Sequence, residues 1–154
     1  MSEENGRKVV ARNRKARHEF EVLDTYEAGI VLKGPEVKSL RAGQVAFRDA
    51  FARVDRGEAW LYSLHIAPYK QANRANVDPD RARKLLLNRA EIRRLIVKVD
   101  EKGLTLVPLD IYFRNGKAKV TIAVARGRRL FDKREKLKKQ TQDRDARRAM
   151  SERE

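Results

Sequence analysis

The stretch LTLVPLDIYFRNGKAKVTIAVA, residues 104–125, indicates a β-hairpin and therefore an antiparallel β fold. Between its halves stands Asn115-Gly116, which favours a tight hairpin turn because both positions accept a positive φ. The second half alternates apolar and polar residues, with Val120, Ile122 and Val124 facing inward. One face of the first half is expected to carry Thr105, Val107, Leu109, Ile111 and Phe113. We therefore predict two paired strands, 104–114 and 117–125.

The sequence before this hairpin continues the β pattern. Residues 18–32 are strand-like with a turn near Asp24-Thr25, and Gly29 within them indicates a bulge or a close approach of another backbone. Residues 44–55 read as one strand, and 59–66 as its hairpin partner. Five or six antiparallel strands favour closure into a small barrel, because closure removes exposed sheet edges. The predicted fold class is mainly β with inserted helices.

A short helix is predicted at GPEVKSLRAG, residues 34–43. Glu36 lies in its opening turn, where an acidic side chain suits the helix dipole, and Gly43 supplies a left-handed stop. Only Val37 and Leu40 form an apolar pair, so this helix is too short to be stable by itself in water. We expect it to cover one open end of the barrel.

A second helix is predicted to begin at Asn88 and to end before Gly103. Asn88 and Glu91 have the spacing of a capping box, and apolar residues follow at helical spacing. The preceding residues 67–83 are polar and irregular, and a loop of this length in a compact domain is often functional.

The charge is concentrated at the two ends of the chain. The 154 residues include 37 Lys and Arg against 22 Asp and Glu, for a formal net charge of +15. Residues 1–18 hold six basic and two acidic groups, and residues 126–154 hold twelve and six. We predict three parts: a partly ordered basic arm (1–17), a β-barrel domain (18–125) and a basic tail (126–154) that is disordered when free.

Composition also limits the function classes. A strongly basic chain points to a polyanion partner, with nucleic acid ahead of an anionic membrane. The sequence has no cysteine, no apolar run that would span a bilayer and no secretory signal at its start, so we expect a cytoplasmic protein.

The sequence gives little indication of a catalytic or metal-binding site. The only histidines, His18 and His65, both lie in strand-like stretches, and no glycine-rich phosphate loop is present. Asp78 and Asp80 could bind Mg²⁺, but a solvated loop is the better interpretation. We expect a protein that is not an enzyme and has no metal or cofactor.

Basic clusters are the stronger signal, although each has a plain alternative. The run Arg12 to Arg17 could bind phosphates or be a solvated arm. Lys117 and Lys119, beside the Asn-Gly turn, could extend the same patch or protect an edge strand. The tail could become helical on RNA, or could serve only solubility.

Four stretches together resemble one known family: ARNRKARHEF (11–20), YEAGIVLKGPEVKSLRAG (26–43), DPDRARKLLLN (78–88) and DKRE (132–135). In this order they resemble the SsrA-binding protein family, also called small protein B, from about residue 9 to residue 150. The resemblance implies a barrel of oligonucleotide-binding type, which agrees with the pattern of strands.

The resemblance also implies a function. Members of the family bind transfer-messenger RNA at its tRNA-like domain and deliver it to stalled ribosomes for trans-translation. The tail enters the decoding centre and the empty mRNA channel of the small subunit, where it becomes helical. A monomer is expected, with alanyl-tRNA synthetase and elongation factor Tu reached through the RNA. The alternative is a ribosomal protein or initiation factor that uses a similar barrel on RNA.

Site residues follow from the matching positions and from the basic clusters. Glu27 matches a carboxylate important for RNA binding, with a surface salt bridge as its alternative role. Leu86 matches another RNA-binding position, with burial as its alternative. The expected RNA-binding set is Asn13, Arg14, Lys15, Arg17, Phe20, Glu27, Leu86, Lys117 and Lys119. The expected ribosome-contacting tail residues are Arg128, Phe131, Asp132, Lys133, Arg134 and Lys138. Relatives often have His or Tyr where Phe131 stands, so only a stacking role is expected there.

Overall fold

The computed structural model describes residues 2–4, 6–100 and 103–128 of the chain, with side chains from residue 6 onward except at 73–75. Over these residues the chain forms ten β-strands and three α-helices. In chain order the elements are β1 (Ser2–Glu4), β2 (Arg7–Arg12), α1 (Arg14–Glu19), β3 (Phe20–Ile30), α2 (Gly34–Arg41), β4 (Val45–Ala46), β5 (Phe51–Asp55), β6 (Glu58–Tyr62), β7 (His65–Ile66), a 3-10 turn (Lys70–Ala75), β8 (Arg83–Leu86), α3 (Arg89–Val99), β9 (Leu104–Arg114) and β10 (Lys117–Gly127).

Six antiparallel strands form a closed ring. Their order is β9-β10-β3-β8-β6-β5, and the pairing of Ala52 with Leu106 joins β5 back to β9. Strands β2 and β1 extend the sheet beyond β9, while β4 and β7 form a separate two-stranded sheet. The predicted mainly-β fold, closed by antiparallel strands with helices inserted, is confirmed. No helix in the described residues is long and apolar enough to cross a membrane.

The hairpin of β9 and β10 turns at Asn115 and Gly116, which have φ values of 51° and 75°. This turn is confirmed, but the predicted alternation along β9 is wrong. Asp110 pairs with Thr121 while Pro108 pairs with Ile122, so Leu109 is an extra residue in a β-bulge. A bulge exchanges the two faces of a strand, so Val107 and Leu109 lie in a second core while Ile111 and Phe113 lie in the main core, instead of all four sharing one face.

The interior of the ring is apolar, and α2 covers one of its ends as predicted. Leu40 of α2 is fully buried in the main core, and Val37 packs against the same cluster. Gly43 ends the helix at a φ of 74°, and its N–H bonds to the carbonyl of Leu40 at 2.9 Å.

A buried ion pair anchors α2, and this was not predicted. Glu36 is 4% exposed and Arg83 of β8 is fully buried, at 2.7 Å from Glu36 Oε2. Arg83 also donates to the carbonyls of Leu64 at 2.6 Å and Pro79 at 2.9 Å. Arg81 donates to the same carboxylate. Glu36 thus ties the helix to the loop that precedes β8, in addition to suiting the helix dipole.

Several predicted strand boundaries are wrong. His18 lies in α1, and β3 runs without a break through the expected turn at Asp24-Thr25. Residues 44–55 are split into β4 and β5, because Arg48 adopts a φ of 50° between them. Ser63, at a φ of 63°, likewise separates β6 from β7. Each break occurs at a non-glycine residue with positive φ, which residue type does not reveal.

The N-terminal segment joins the sheet. Val9 of β2 is buried and pairs with Tyr112 of β9. Helix α1 then packs Ala16 on the outer side of the ring, against a small second core of Val107, Leu109, Ala123 and Ala125.

Candidate nucleic-acid interface

The strand register places two rows of side chains across the outside of β9, β10 and β3. In one row Asp110 pairs with Thr121, and Thr121 pairs with Glu27. In the next row Tyr112 pairs with Lys119, and Lys119 pairs with Gly29. Because directly paired residues share a sheet face, these rows lie side by side. We call this surface, with the basic residues around it, the outer polar face.

Leu86 extends the second row onto β8, where it pairs with Gly29. Its side chain is 54% exposed, so the burial considered as its alternative role is wrong. A Cβ placed on Gly29 would stand 3.1 Å from Leu86 Cβ and 3.3 Å from its Cδ1. The group that stands closest to Gly29 is therefore the side chain of Leu86, which packs across the glycine, and not the backbone that was predicted there. The register brings Glu27, Lys119 and Leu86 onto one surface.

Glu27 is held by two donors at one oxygen. The hydroxyl of Tyr112 donates to Oε2, and Arg114 Nη1 stands 2.7 Å from the same atom. Burial and the bond to Glu27 raise the pKa of Tyr112 to about 12, so its hydroxyl is a donor at every physiological pH. Glu27 does form the surface salt bridge that was its alternative role, but a buried phenol also orients it. Within the described part of the chain both contacts of the carboxylate are at Oε2 and no donor is bonded to Oε1, while the residue is exposed.

Cations surround this carboxylate. The guanidinium carbon of Arg7 lies 4.4 Å from the centroid of the Tyr112 ring, and that of Arg114 lies 5.7 Å from it. Arg7 on β2 and Lys117 on β10 both lie directly opposite Arg114 of β9 in the strand pairing. Lys117 is exposed and Lys119 half-buried. The exposed carboxylate of Glu27 thus sits inside a basic surface that suits phosphates.

Asp110 connects α1 to the outer polar face. It is buried and accepts a hydrogen bond from the hydroxyl of Thr121. Arg17 Nη2 stands 3.4 Å from its other oxygen. Arg17 is therefore tethered beside the Glu27 row, with half of its side chain exposed.

Asn13 is engaged by the fold itself. Its Oδ1 accepts from the N–H of Ala16 at 3.1 Å, which caps α1, and its Nδ2 donates to the carbonyl of Pro108 at 2.9 Å. Its backbone N–H donates to the carbonyl of Leu109, the extra residue of the bulge, at 2.7 Å. The side chain is only 6% exposed. These bonds place Asn13 as the link between α1 and β9, and a contact with RNA stays a prediction.

The other residues of the N-terminal set are spread along α1. Arg14 is exposed, and Lys15 pairs with Asp49 at 3.1 Å. Phe20 is half-buried against the second core. Of this set, Arg17 is linked through Asp110 to the outer polar face, while Lys15 is paired with the loop before β5.

The tail residues are mostly outside the described chain. Arg128 is described, and its Nε donates to the carbonyl of Phe20 at 3.1 Å. The described residues stop before the remaining predicted tail contacts, which are Phe131, Asp132, Lys133, Arg134 and Lys138.

The loop carboxylates considered for Mg²⁺ have protein partners. Asp80 pairs with His65 Nδ1 at 2.8 Å and with Arg48 at 3.5 Å. Asp78 accepts a hydrogen bond from the N–H of Asp80 at 2.9 Å. Among the described residues no group of three or more His, Cys, Asp or Glu is arranged to hold a metal ion.

Sequence reasoning missed Arg7, Tyr112 and Asp110 as members of this surface. The sequence offered one sign of this surface, the short apolar pair Val9-Val10 within RKVVAR. This segment forms strand β2 and pairs with β9. Without that pairing, Arg7 cannot be placed over Tyr112.

Proteins of known sequence and structure resemble this chain over most of its length. An SsrA-binding protein of Halothermothrix orenii is 53% identical over 147 residues, covering 96% of this chain and 95% of the relative. An SsrA-binding protein of Desulforudis audaxviator is 54% identical over 142 residues, covering 92% and 93%. A solved chain described as "tmRNA-SmpB: a journey to the center of the bacterial ribosome" is 61% identical, with a TM-score of 0.66, and the match covers 76% of this chain and 82% of that one.

A family model described as SmpB protein matches residues 10–152. That range includes the four stretches on which the resemblance was based, and both ends of the match lie close to the ends of the chain. The chain belongs to the SmpB protein family.

Proposed function

We propose that this protein binds transfer-messenger RNA at its tRNA-like domain and delivers it to stalled ribosomes for trans-translation. It acts by binding rather than by catalysis, without a cofactor, in the cytoplasm. Support comes from relatives named SsrA-binding protein and from the similar chain described as tmRNA-SmpB at the centre of the bacterial ribosome. The observation that carries the proposal is the convergence of Glu27, Lys119 and Leu86 on one outer surface.

The outer polar face has the groups that folded RNA requires. Arg7, Arg114, Lys117 and Lys119 supply positive charge for phosphates. The open Oε1 of Glu27 can accept a hydrogen bond from a base amino group or a 2′-hydroxyl, neither of which a basic residue alone would select. Leu86 offers an apolar contact to a base or ribose beside it. The combination favours a shaped RNA surface over a uniform polyanion.

The tail has a separate role in this proposal. Residues 129–154 lie beyond the described chain, and their basic groups are the ones expected to enter the decoding centre and the empty mRNA channel. Phe131, Asp132, Lys133, Arg134 and Lys138 are the proposed contacts there, with Arg128 at the root of the tail. The protein works as a monomer, and alanyl-tRNA synthetase and elongation factor Tu act on the same RNA.

A truncation tests this division of roles. Since β10 runs to Gly127 and Arg128 bonds to Phe20, the chain is cut after Arg128 so that the ring keeps its last strand. The truncated protein is expected to bind transfer-messenger RNA with nearly full affinity and to fail in a reconstituted tagging reaction on stalled ribosomes. Equal loss of both activities would contradict separate roles.

The salt dependence of RNA binding tests whether the basic residues of the outer polar face contact phosphates. Affinity should fall by roughly 0.7 to 0.9 log units per log unit of salt for each phosphate neutralised. Alanine at Lys117 and at Lys119 should each lower that slope. A slope that stays the same in both variants would show that these lysines contact no phosphate.

A further inference from the structure

A pair of aromatic rings lies on the outside of the ring of strands, on β5 and β6. Phe51 of β5 pairs in register with Tyr62 of β6, and their rings stack with centroids 5.3 Å apart and planes at 21°. Phe51 is 38% exposed, and Tyr62 is half-buried. Stacking fixes the orientation of both rings while one side of the pair faces solvent.

A second row of side chains lies beside this pair. Arg53 pairs with Trp60, and Trp60 pairs with Lys84 of β8. The neighbours of these residues along each strand, Ala52, Leu61 and Leu85, are buried in the core. Because side chains alternate between faces along a strand, Arg53, Trp60 and Lys84 face outward. We call Phe51, Tyr62, Arg53, Trp60 and Lys84 the aromatic strip.

The charges of the aromatic strip are mainly available to a ligand. Arg53 is exposed and, among the described residues, makes no ion pair or hydrogen bond. Lys84 pairs with Glu58 at 3.2 Å on an exposed surface, and such a pair contributes little and exchanges readily. Asp55 and Glu58 form the next outward pair of the hairpin, beside Arg53 and Trp60, at the end that carries the turn.

We propose that the aromatic strip binds unpaired RNA nucleotides by stacking their bases on its rings, with Arg53 and Lys84 on the phosphates. Trp60 and Tyr62 lie about 7 Å apart along β6, a spacing that an extended nucleotide chain can follow. Aromatic faces with cations between them are the common means of binding single strands without sequence preference. A protein partner is less suited, because the outward positions of β5 and β6 carry aromatic and charged side chains and no aliphatic one.

The strip contains the only tryptophan of the chain, which gives a direct test. The full-length protein is titrated with an unstructured 12-nucleotide oligouridine RNA while Trp60 fluorescence is followed. Stacking should quench the emission. Inorganic polyphosphate of matched charge serves as the control, since it can bind basic segments but has no base to stack. Absence of quenching by RNA, or equal quenching by polyphosphate, would overturn the proposal.

Variants then connect the signal to the strip. Phe51→Leu and Tyr62→Leu should weaken oligouridine binding by roughly 5- to 150-fold, which corresponds to the loss of about 1–3 kcal/mol when a base loses an aromatic partner. Tyr62→Phe should keep the affinity, and the exposed change Arg53→Ala should lower it with no loss of thermal stability. Unchanged affinity in Phe51→Leu and Arg53→Ala would reject the strip as the binding surface.

Two further outcomes separate this proposal from its alternatives. The strip variants should keep their affinity for an isolated tRNA-like RNA, whereas Lys119→Ala should lower that affinity without changing the response of Trp60 to oligouridine. Failure of tRNA-like RNA binding therefore leaves the test of the strip intact. A change of Trp60 emission with protein concentration alone would identify the strip as a contact between copies and overturn the RNA assignment.

Discussion

The hydroxyl of Tyr112 donates a hydrogen bond to Oε2 of Glu27, and Arg114 approaches the same oxygen at 2.7 Å. One oxygen of the carboxylate is thus committed to the protein and the other is open to a ligand. This arrangement explains how an acidic residue can serve on a basic surface: its direction is set by a buried phenol, and its charge is partly balanced by Arg114.

Tyr112→Phe is expected to weaken binding to transfer-messenger RNA through Glu27. The phenol contributes one hydrogen bond to a charged acceptor, so its loss should cost about 1 kcal/mol of binding free energy, or several-fold in Kd. The same change in a Glu27→Ala background should have almost no further effect. Filter binding with the wild type, both single variants and the double variant measures the coupling. Fully additive losses would show that Tyr112 does not act through Glu27.

Gly29→Ala is expected to disturb the surface at Leu86. The added Cβ would stand 3.1 Å from Leu86 Cβ, so β3 and β8 must shift by a few tenths of an ångström. We expect a loss of about 1 kcal/mol in the free energy of unfolding, with weaker RNA binding. Gly127→Ala is the matched control, because nothing lies within 4 Å of its Cβ position. Urea unfolding compares the two variants, and equal stability would argue against a tight contact at Gly29.

Glu36→Gln is expected to destabilise the protein strongly. It leaves the fully buried Arg83 without its carboxylate, and breaking a buried ion pair on one side typically costs about 3–5 kcal/mol. Glu58→Gln, which removes an exposed partner of Lys84, should cost less than about 1 kcal/mol. Urea midpoints of the two variants give the comparison, and similar small losses would show that the buried pair contributes little.

Stability should fall at acid pH because of the same carboxyl group. Burial raises the pKa of Glu36, but hydrogen bonds from Arg81, the N–H of Lys33 and Arg83 outweigh it, and the net pKa lies below the ordinary 4.5. A lowered folded pKa means stability that is present above the unfolded value and lost as pH falls through the folded one. Between pH 7 and pH 3.5 the wild type should therefore lose more unfolding free energy than Glu36→Gln. Parallel losses in both proteins would assign the acid sensitivity to other groups.

Asn13→Ala is expected to reduce stability more than a helix cap alone would. The change removes the cap of α1, worth about 1 kcal/mol, and leaves the carbonyl of Pro108 without its donor, worth about 1–3 kcal/mol. Asn13→Asp keeps an acceptor for the N–H of Ala16, but it sets a carboxylate oxygen against the carbonyl of Pro108 at a buried position, so it should destabilise the fold at least as much as Asn13→Ala. If RNA affinity, measured where each variant is fully folded, stays near that of the wild type, Asn13 acts through the fold. A large affinity loss in folded Asn13→Asp would instead indicate a direct contact.

Local signals in the sequence predicted much of this fold. The Asn115-Gly116 turn, the capping pair Asn88 and Glu91, and the stop at Gly43 all form as expected, because each depends on residues only a few positions apart. The bulge at Leu109 was not predictable in the same way, since it is defined by pairing with β10 and satisfied by Asn13. The pair of Glu36 and Arg83 joins residues 47 positions apart, which no local pattern reveals.

The outer polar face shows the same limit. Glu27 and Leu86 were named from family resemblance and Lys119 from the basic cluster beside the Asn115-Gly116 turn, and the strand register brings them together. Arg7 and Tyr112 were missed because their contact requires β2 to pair with β9 across more than half of the chain. Residue type indicated a basic surface, but only the register shows which cations surround Glu27.

The closure of the ring has a dynamic consequence. Between β5 and β9 only Ala52 and Leu106 are paired, whereas β10 pairs along almost its whole length with both β9 and β3. Local opening should therefore begin between β5 and β9, where few hydrogen bonds must break. In a hydrogen-exchange experiment the amides of β5 should then take up deuterium sooner than those of β10. The strands β10 and β3 behind Glu27 would then stay rigid while β5 separates from β9 and closes again.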